Sequence, residues 1–282
     1  MTLARFRPDI VHAHSTFAGV AARLLGPLFR ARVIYCPHGW AMDREQPNYL
    51  RHFYTLVERG LEKLTTHFVA VSEHERQRGI RAGLPPEKIT TVHNGLRSNV
   101  PAHESTLWDY SRLKVLFVGR LDRDKGIDVL LNASQLLKHK VVVRVIGGAV
   151  IEELSVNFSD YPHAEFLGWL DAPSILPHMA SCDVVVVPSR WEGFGYVAAE
   201  AMRLGKAVIA TRVGGLVELV VDKETGFLFP SEDSKALAGI LSQVDKSELQ
   251  EMGAKGRDRF LKHFTASRMA QAIIHLYGEI KH

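Results

Sequence analysis

The chain has no run of about 18 or more apolar residues, the length that a membrane-crossing helix needs. Its first residues, Met1-Thr-Leu-Ala-Arg-Phe-Arg-Pro8, lack the apolar stretch and small-residue cleavage site of a secretory signal, so a cytoplasmic protein is expected. Cysteine is scarce. Cys36 and Cys182 are the only two in 282 residues; they form no disulfide framework and no paired metal or redox motif, and both fall in or beside strand-like segments, where reduced core thiols are expected. There is no internal repeat and no low-complexity tract, which argues against a solenoid or a disordered tail. A dense basic stripe is also missing, and with it the case for nucleic-acid binding. Finally, no G-x-G-x-x-G turn follows a first strand, and Ile146-Gly-Gly148 is too weak a substitute, so a NAD-dependent dehydrogenase fits poorly.

What is present is an ordinary globular composition, 46% hydrophobic and 23% charged, in a chain long enough for two cores. The net charge of +4 is uneven: residues 1–113 carry 15 Lys/Arg against 10 Asp/Glu, and residues 114–282 carry 20 against 21. Arg23, Arg30 and Arg32 flank the apolar Leu24-Leu25-Gly-Pro-Leu-Phe29. Such a pattern fits a contact with an anionic bilayer or, more commonly, a solvated helix face.

Strand-like and helix-like segments alternate, which predicts an α/β chain with parallel sheets covered by helices. Strands are expected near Asp9–Ala13, Arg32–Cys36, His67–Val71 and Lys88–Val92, then at Lys114–Gly119, Lys140–Ile146, Ala164–Leu167, Asp183–Val187, Ala207–Thr211 and Gly226–Phe229. Pro101 and a weakly periodic polar stretch place a linker at 99–113, between a domain at 1–98 and one at 114–265. A helix over 266–282 is expected to pack back towards the first domain.

Two segments carry chemistry. In Glu192-Gly-Phe-Gly-Tyr-Val-Ala-Ala-Glu200, two carboxylates bracket a glycine turn and the start of an apolar helix, just after the β-branched run Cys182-Asp-Val-Val-Val-Val-Pro188. A helix starting at a strand's carboxyl end offers unpaired N–H groups and a positive dipole end, suited to a diphosphate. Glu200, about two turns into the helix, can then address a different part of the ligand from Glu192. Glu192 alone also reads as an ordinary loop acid. Glu200 has apolar or small neighbours on nearly all sides, and a carboxylate in that setting needs a partner. The second segment, Gly119-Arg-Leu-Asp-Arg-Asp-Lys-Gly126, follows another strand and places Arg120 and Lys125 where cations can stabilise a departing diphosphate; a solvated basic turn is the plainer alternative. Asp122-Arg-Asp124 matches a D-x-D metal triplet superficially, but the neighbouring cations make a divalent ion redundant, and no metal is expected.

Together with Gly205-Lys-Ala-Val-Ile-Ala210, Gly214-Gly-Leu-Val-Glu218 and Asp222-Lys-Glu-Thr-Gly-Phe-Leu228, these segments resemble glycosyltransferase family 4 in order and spacing. The likeness is dense over 114–260 and weaker at Pro8-Asp-Ile-Val-His-Ala-His14, His38-Gly39, Val71-Ser72 and Val92-His-Asn-Gly95. It implies a GT-B fold of two Rossmann-like domains and transfer of a sugar from a nucleotide diphosphate sugar with retention, a UDP-sugar favoured over a GDP-sugar. The acceptor would be a saccharide or lipid-linked molecule in polysaccharide or glycolipid synthesis. The resemblance assigns Arg120 and Lys125 to the diphosphate, in the turn that begins at Gly119. It assigns Glu192 to sugar hydroxyls, helped by the backbone amides of Gly193, Phe194 and Gly195, and Glu200 to the ribose diol. The turn at Gly168 falls near the base, and His14 near the sugar or its phosphate. His38, at another strand end, is a candidate for binding the acceptor. His12 and His14 could instead bind a metal as a His-x-His pair, but the rest of the chain does not supply that pattern.

Relative to the family pattern, the opening strand and its glycine-containing loop are expected before Asp9 and are not found there. The first domain is therefore expected to be incomplete, and a second reading stands beside the first: a nucleotide-sugar-binding remnant without turnover.

Overall fold

The computed structural model describes residues 6–43, 46–100, 106, 108, 111–148 and 160–281. The chain divides into two compact units, Met1–Gly95 with Ala266–His282, and Leu96–Thr265. Most of the expected linker at 99–113 lies outside the described residues. Trp108, within it, is buried, with the Arg144 guanidinium 4.1 Å from its ring centre.

The first unit is built from β1 (Ile10–His14), α1 (Thr16–Leu25), β2 (Arg32–Cys36), α2 (Asn48–Leu61), β3 (His67–Ala70), α3 (Glu73–Arg81) and β4 (Ile89–Thr91), with the closing helix Ala266–Lys281. Its strands are parallel in the order β1-β2-β3-β4. Tyr35, Trp40 and Phe68 pack edge-to-face in its core, and the indole N–H of Trp40 donates to the Glu75 carbonyl at 2.8 Å. The closing helix meets β1 through Tyr277, whose hydroxyl lies 2.8 Å from His12 Nδ1.

Arg23 departs from the sequence expectation. It is not a surface cation flanking an apolar patch: it is 0% exposed and pairs with Glu58, itself 3% exposed, at 2.5 Å. Its guanidinium also stacks on Tyr35 and donates to the Gly19 carbonyl. An arginine in the last turn of α1 looks the same in sequence whether it faces water or a glutamate on α2. Burial with a bidentate partner is what makes the charge tolerable inside.

The second unit comprises β5 (Leu113–Val118), α4 (Ile127–Gln135), β6 (Val141–Ile146), β7 (Ala164–Phe166), α5 (Ala172–Ser181), β8 (Val184–Val187), α6 (Tyr196–Arg203), β9 (Ala207–Thr211), α7 (Leu216–Leu219), β10 (Gly226–Phe229), α8 (Ser234–Gln243) and α9 (Lys246–His263). All its strands are parallel, in the order β10-β9-β8-β5-β6-β7. Every residue of β8 and β9 is buried, so both faces of the sheet are covered; this is why the sequence reads there as an unbroken β-branched run rather than an alternation. Cys182 is a buried free thiol, like Cys36. Relabelled from its first strand, the order is 6-5-4-1-2-3, the doubly wound order whose ligand crevice opens between strands 1 and 4. Here those strands are β5 and β8.

Candidate functional site

The loops that follow β5 and β8 carry the two segments singled out above, and the topology brings them together at the switch point. Lys125 Nζ donates to Glu192 Oε2 at 2.6 Å, and Ser189 Oγ approaches the same oxygen at 3.4 Å. Arg120 pairs with Asp122 at 3.0 Å, and the other oxygen of Asp122 accepts from the Lys125 backbone N–H at 3.0 Å. Asp122 is thus engaged in shaping the turn that presents both cations.

Two glycines allow this approach. A Cβ at Gly126, whose φ is 65°, would strike the Pro188 carbonyl; one at Gly214, φ 49°, would strike the carbonyl of Glu192. Gly214→Ala is therefore expected to push the Glu192 loop out of place and to cost about 1–3 kcal/mol of stability, read as a lowered urea midpoint.

Helix capping separates this edge of the sheet from the rest. Asp171, Asp233 and Asp245 cap α5, α8 and α9 with their side chains. The helices that follow β5, β8 and β9 begin instead at Gly126, Gly195 and Gly215, with no side-chain cap; in the first turn of α4 the Asp128 carboxylate accepts the backbone N–H groups of Asp128 and Val129, whereas α6 starts with no carboxylate in its first turn. Phe194 is buried against Tyr196 and Phe264, which leaves only its backbone to serve a ligand. The N–H of Gly119 is occupied by the Ile146 carbonyl at 3.0 Å. Gly193 lies close against Gly215. Gly168, φ 69°, sits in open surroundings.

Glu200 is partly buried on α6, and its carboxylate makes no hydrogen bond or ion pair with the described residues. Burial pushes its pKa up, an effect that the charge of Arg203 offsets only in part. It is a desolvated carboxylate, as the apolar sequence around it predicts.

Sequence reasoning missed Arg190. Its guanidinium forms a bidentate pair with Asp128 on α4 at 2.9 and 2.7 Å, donates to Glu232 at 2.7 Å, and reaches the Arg123 carbonyl at 2.7 Å. Burial alone would raise the Asp128 carboxyl, but these bonds hold it below its ordinary value. Arg190 clamps the β8 loop to the β5 loop. The sequence signal was an arginine two residues beyond Pro188, with an acid at the second position of the helix after β5. Trp169 was also missed: it follows Gly168, is 68% exposed, and lies near Gly148.

In the first unit, the structure joins His14 to His38: His14 Nδ1 and His38 Nε2 share one hydrogen bond at 2.8 Å. His12 stacks on His14, ring centres 4.4 Å apart, and turns its Nδ1 to Tyr277, so the His12–His14 pair does not converge on one point. The Nε2 of His12 is buried without a hydrogen-bond partner among the described residues. Burial, and then the adjacent His14 and His38 rings, press the pKa of His12 down to about 4.

Comparison with known proteins agrees with this geometry. Residues 112–247 match the family described as Glycosyl transferases group 1, and residues 1–99 match Glycosyltransferase Family 4. The chain is 28% identical over 307 residues to alpha-maltose-1-phosphate synthase of Mycolicibacterium smegmatis, covering 96% of this chain and 79% of that protein. It is 27% identical over 300 residues to a capsular polysaccharide biosynthesis glycosyltransferase of Staphylococcus aureus, covering 96% and 77%. Among solved structures, Anabaena HepE in complex with UDP and glucose superposes with a TM-score of 0.81 at 23% identity, over 96% of this chain and 77% of that one. Sucrose-phosphate synthase from Thermosynechococcus elongatus gives 0.86 at 23% identity, over 99% and 75%. With two parallel-sheet domains of the GT-B kind and both of its halves matched, the chain belongs to the group 1, family 4 glycosyltransferases.

Proposed function

We propose that the chain transfers a hexose with retention from a nucleotide diphosphate sugar, a UDP-sugar in preference to a GDP-sugar, to a saccharide or lipid-linked acceptor on the cytoplasmic side of a membrane. The observation that carries the reading is the switch-point site: two cations, a glycine-started helix and a partner-less carboxylate around one crevice. An arriving diphosphate competes with Glu192 for Lys125 and docks at the start of α6. Glu192, released, accepts from sugar hydroxyls, and Glu200 accepts from the ribose diol. Arg120 and Lys125 hold the charge that grows on the leaving diphosphate, so departure needs no protein nucleophile. Attack comes from the face the leaving group vacates, with the leaving phosphate taking the acceptor's proton. His14 is assigned to the sugar or its phosphate, and His38 to the acceptor. A preference for UDP is supported by the Anabaena relative, which is solved with UDP and glucose.

Calorimetry with UDP, GDP and ADP tests the donor half. One nucleotide is expected to bind, and Glu200→Ala to weaken it by about 1–3 kcal/mol, the usual worth of hydrogen bonds to a charged group; unchanged affinity rejects the ribose assignment. Anomeric NMR of the product tests retention. Binding with neither transfer nor donor hydrolysis would instead identify a remnant without turnover.

The raised pKa of Glu200 has a stability consequence with a definite sign. The folded chain holds that proton more tightly than the unfolded chain, so ionising Glu200 costs stability as pH rises through its raised folded pKa, and the cost persists above it. Ligand-free Glu200→Gln is expected to melt above the parent at pH 7. The gap should close as pH falls towards about 4.3, the carboxyl's ordinary value.

No helix among the described residues is long and apolar enough to cross a membrane. Peripheral contact with an anionic membrane is part of the proposal, carried by exposed Phe17, Leu24 and Leu28 with exposed Arg30 rather than by Arg23. Leu28→Asp is expected to reduce sedimentation with phosphatidylglycerol vesicles.

A further inference from the structure

We propose that His14, Cys36 and His38 form a binding site for a first-row transition-metal ion, and that occupancy of this site inhibits sugar transfer. The parallel register places His14 directly beside Cys36 at the carboxyl ends of β1 and β2. Paired residues on neighbouring parallel strands project to the same face. Pro37 then turns the chain, and His38, at φ 53°, brings its imidazole back over that face. The result is one ligand atom each from His14, Cys36 and His38, all within 4.8 Å of one another.

The turn is held from behind. The Glu75 carboxylate accepts the backbone N–H groups of Gly39 and Val71, and the His38 backbone N–H bonds to the Cys36 sulfur. These contacts fix the turn, with His38 in the left-handed region and its imidazole against that of His14. Both histidines are exposed while the sulfur lies buried beneath them, so an ion can enter past the rings and meet the thiol last.

Two imidazoles and a thiol make an N₂S donor set, which suits Zn²⁺, Co²⁺ or Cu⁺ and not Mg²⁺ or Ca²⁺. With Zn–N of about 2.0–2.1 Å and Zn–S of about 2.3 Å, the edges of a tetrahedral site are about 3.3–3.6 Å. The two ring nitrogens, now 2.8 Å apart, must open by about half an ångström, and the sulfur must close by about one, both within reach of side-chain rotation. On binding, each imidazole gives a lone pair in place of the His14–His38 hydrogen bond and keeps one N–H on its other nitrogen. The thiol gives up its proton, so one proton is released per ion. Three protein ligands leave the fourth position to water.

Inhibition rests on the reading that His14 serves the donor sugar, because a ring nitrogen bound to an ion is withdrawn from that task. The ion site itself does not depend on it.

The test is a Co²⁺ titration of the full chain, followed by transfer assays with Zn²⁺. One equivalent of Co²⁺ is expected to produce a thiolate-to-metal charge-transfer band and the intense visible bands of four-coordinate cobalt. Both should be lost in Cys36→Ser and kept in Cys182→Ser. His38→Gln, a surface change that preserves folding, should weaken Co²⁺ by more than about tenfold, since loss of even an outer partner of a metal ligand costs that much. Zn²⁺ should inhibit the parent, EDTA should restore it, and Cys36→Ser should keep the metal-free rate while losing most of the sensitivity. Absence of the charge-transfer band in the parent, or its survival in Cys36→Ser, overturns the site. A cobalt site with Zn²⁺-insensitive transfer overturns the inhibition and the role of His14 together, and leaves the site standing.

Discussion

Lys125→Met is expected to lower donor turnover about a hundred- to a thousand-fold, the usual cost of removing one preorganised group aimed at charge that develops in the transition state. Two features of the site set that size. Lys125 is three-quarters buried with Glu192 at 2.6 Å, so its ammonium acts in a setting poorer in water than the open surface. It also stands just before α4, whose positive dipole end adds to the field of the ammonium. The fold itself should be little affected, because Glu192 keeps a contact with Ser189 and both partners, 25% and 14% exposed, still reach water, so that losing the pair costs about 1 kcal/mol. The measurement is kcat/KM for donor hydrolysis or transfer beside a urea midpoint: a large rate loss with an almost unchanged midpoint is the expected result. An equal loss in both would make Lys125 a structural residue. Arg120→Met should cost less, because Arg120 is nearly half exposed. The two losses should not add if, as proposed, both groups serve one charge.

The second large effect is on stability. Glu58→Ala is expected to cost about 3–5 kcal/mol, because it strands the Arg23 guanidinium without a counter-charge where no water reaches. Domains are commonly stable by about 5–15 kcal/mol, so the first unit should unfold at a much lower urea concentration. Arg23 would retain the Gly19 carbonyl and the Tyr35 ring, neither of which neutralises charge. Arg23→Met combined with Glu58→Leu should recover most of the loss, since replacing a buried pair by apolar groups of similar volume is often neutral or stabilising. If Glu58→Ala proved harmless, the pair would have to be solvated in solution. Nucleotide binding by the second unit should survive all three changes.

Much of this protein was legible in its sequence. The strands β8 and β9 are unbroken β-branched or small-residue runs because both of their faces are buried, and Pro188 marks where β8 stops donating. Glu200 could be singled out by its neighbours alone, because a carboxylate in an apolar helix is a local contradiction. Its raised pKa is the structural counterpart of that contradiction.

Other features left no local trace. Arg190 reaches Asp128 and Glu232, which are 62 and 42 positions away in the chain, and nothing near Arg190 indicates which acids it meets. Arg23 was read as a surface cation because its partner is 35 residues away. Cys36 is the buried free thiol that the sequence predicts, but the pattern Cys-Pro-His says nothing of His14, which arrives beside it from a different strand by register.

The sequence by itself determined the alternation of parallel strands and helices, the glycine-started turns and the residue types at the strand ends, because burial, backbone conformation and helix termini are set by neighbours a few positions away. Only the tertiary structure decided which strand ends meet. The order β10-β9-β8-β5-β6-β7 makes β5 and β8 neighbours, so that Lys125 meets Glu192, and the register of β1 on β2 sets His14 beside Cys36. The physical reason is that partners in charge pairing and metal ligation are selected by distance in space, and sheet order and register, not spacing along the chain, set that distance.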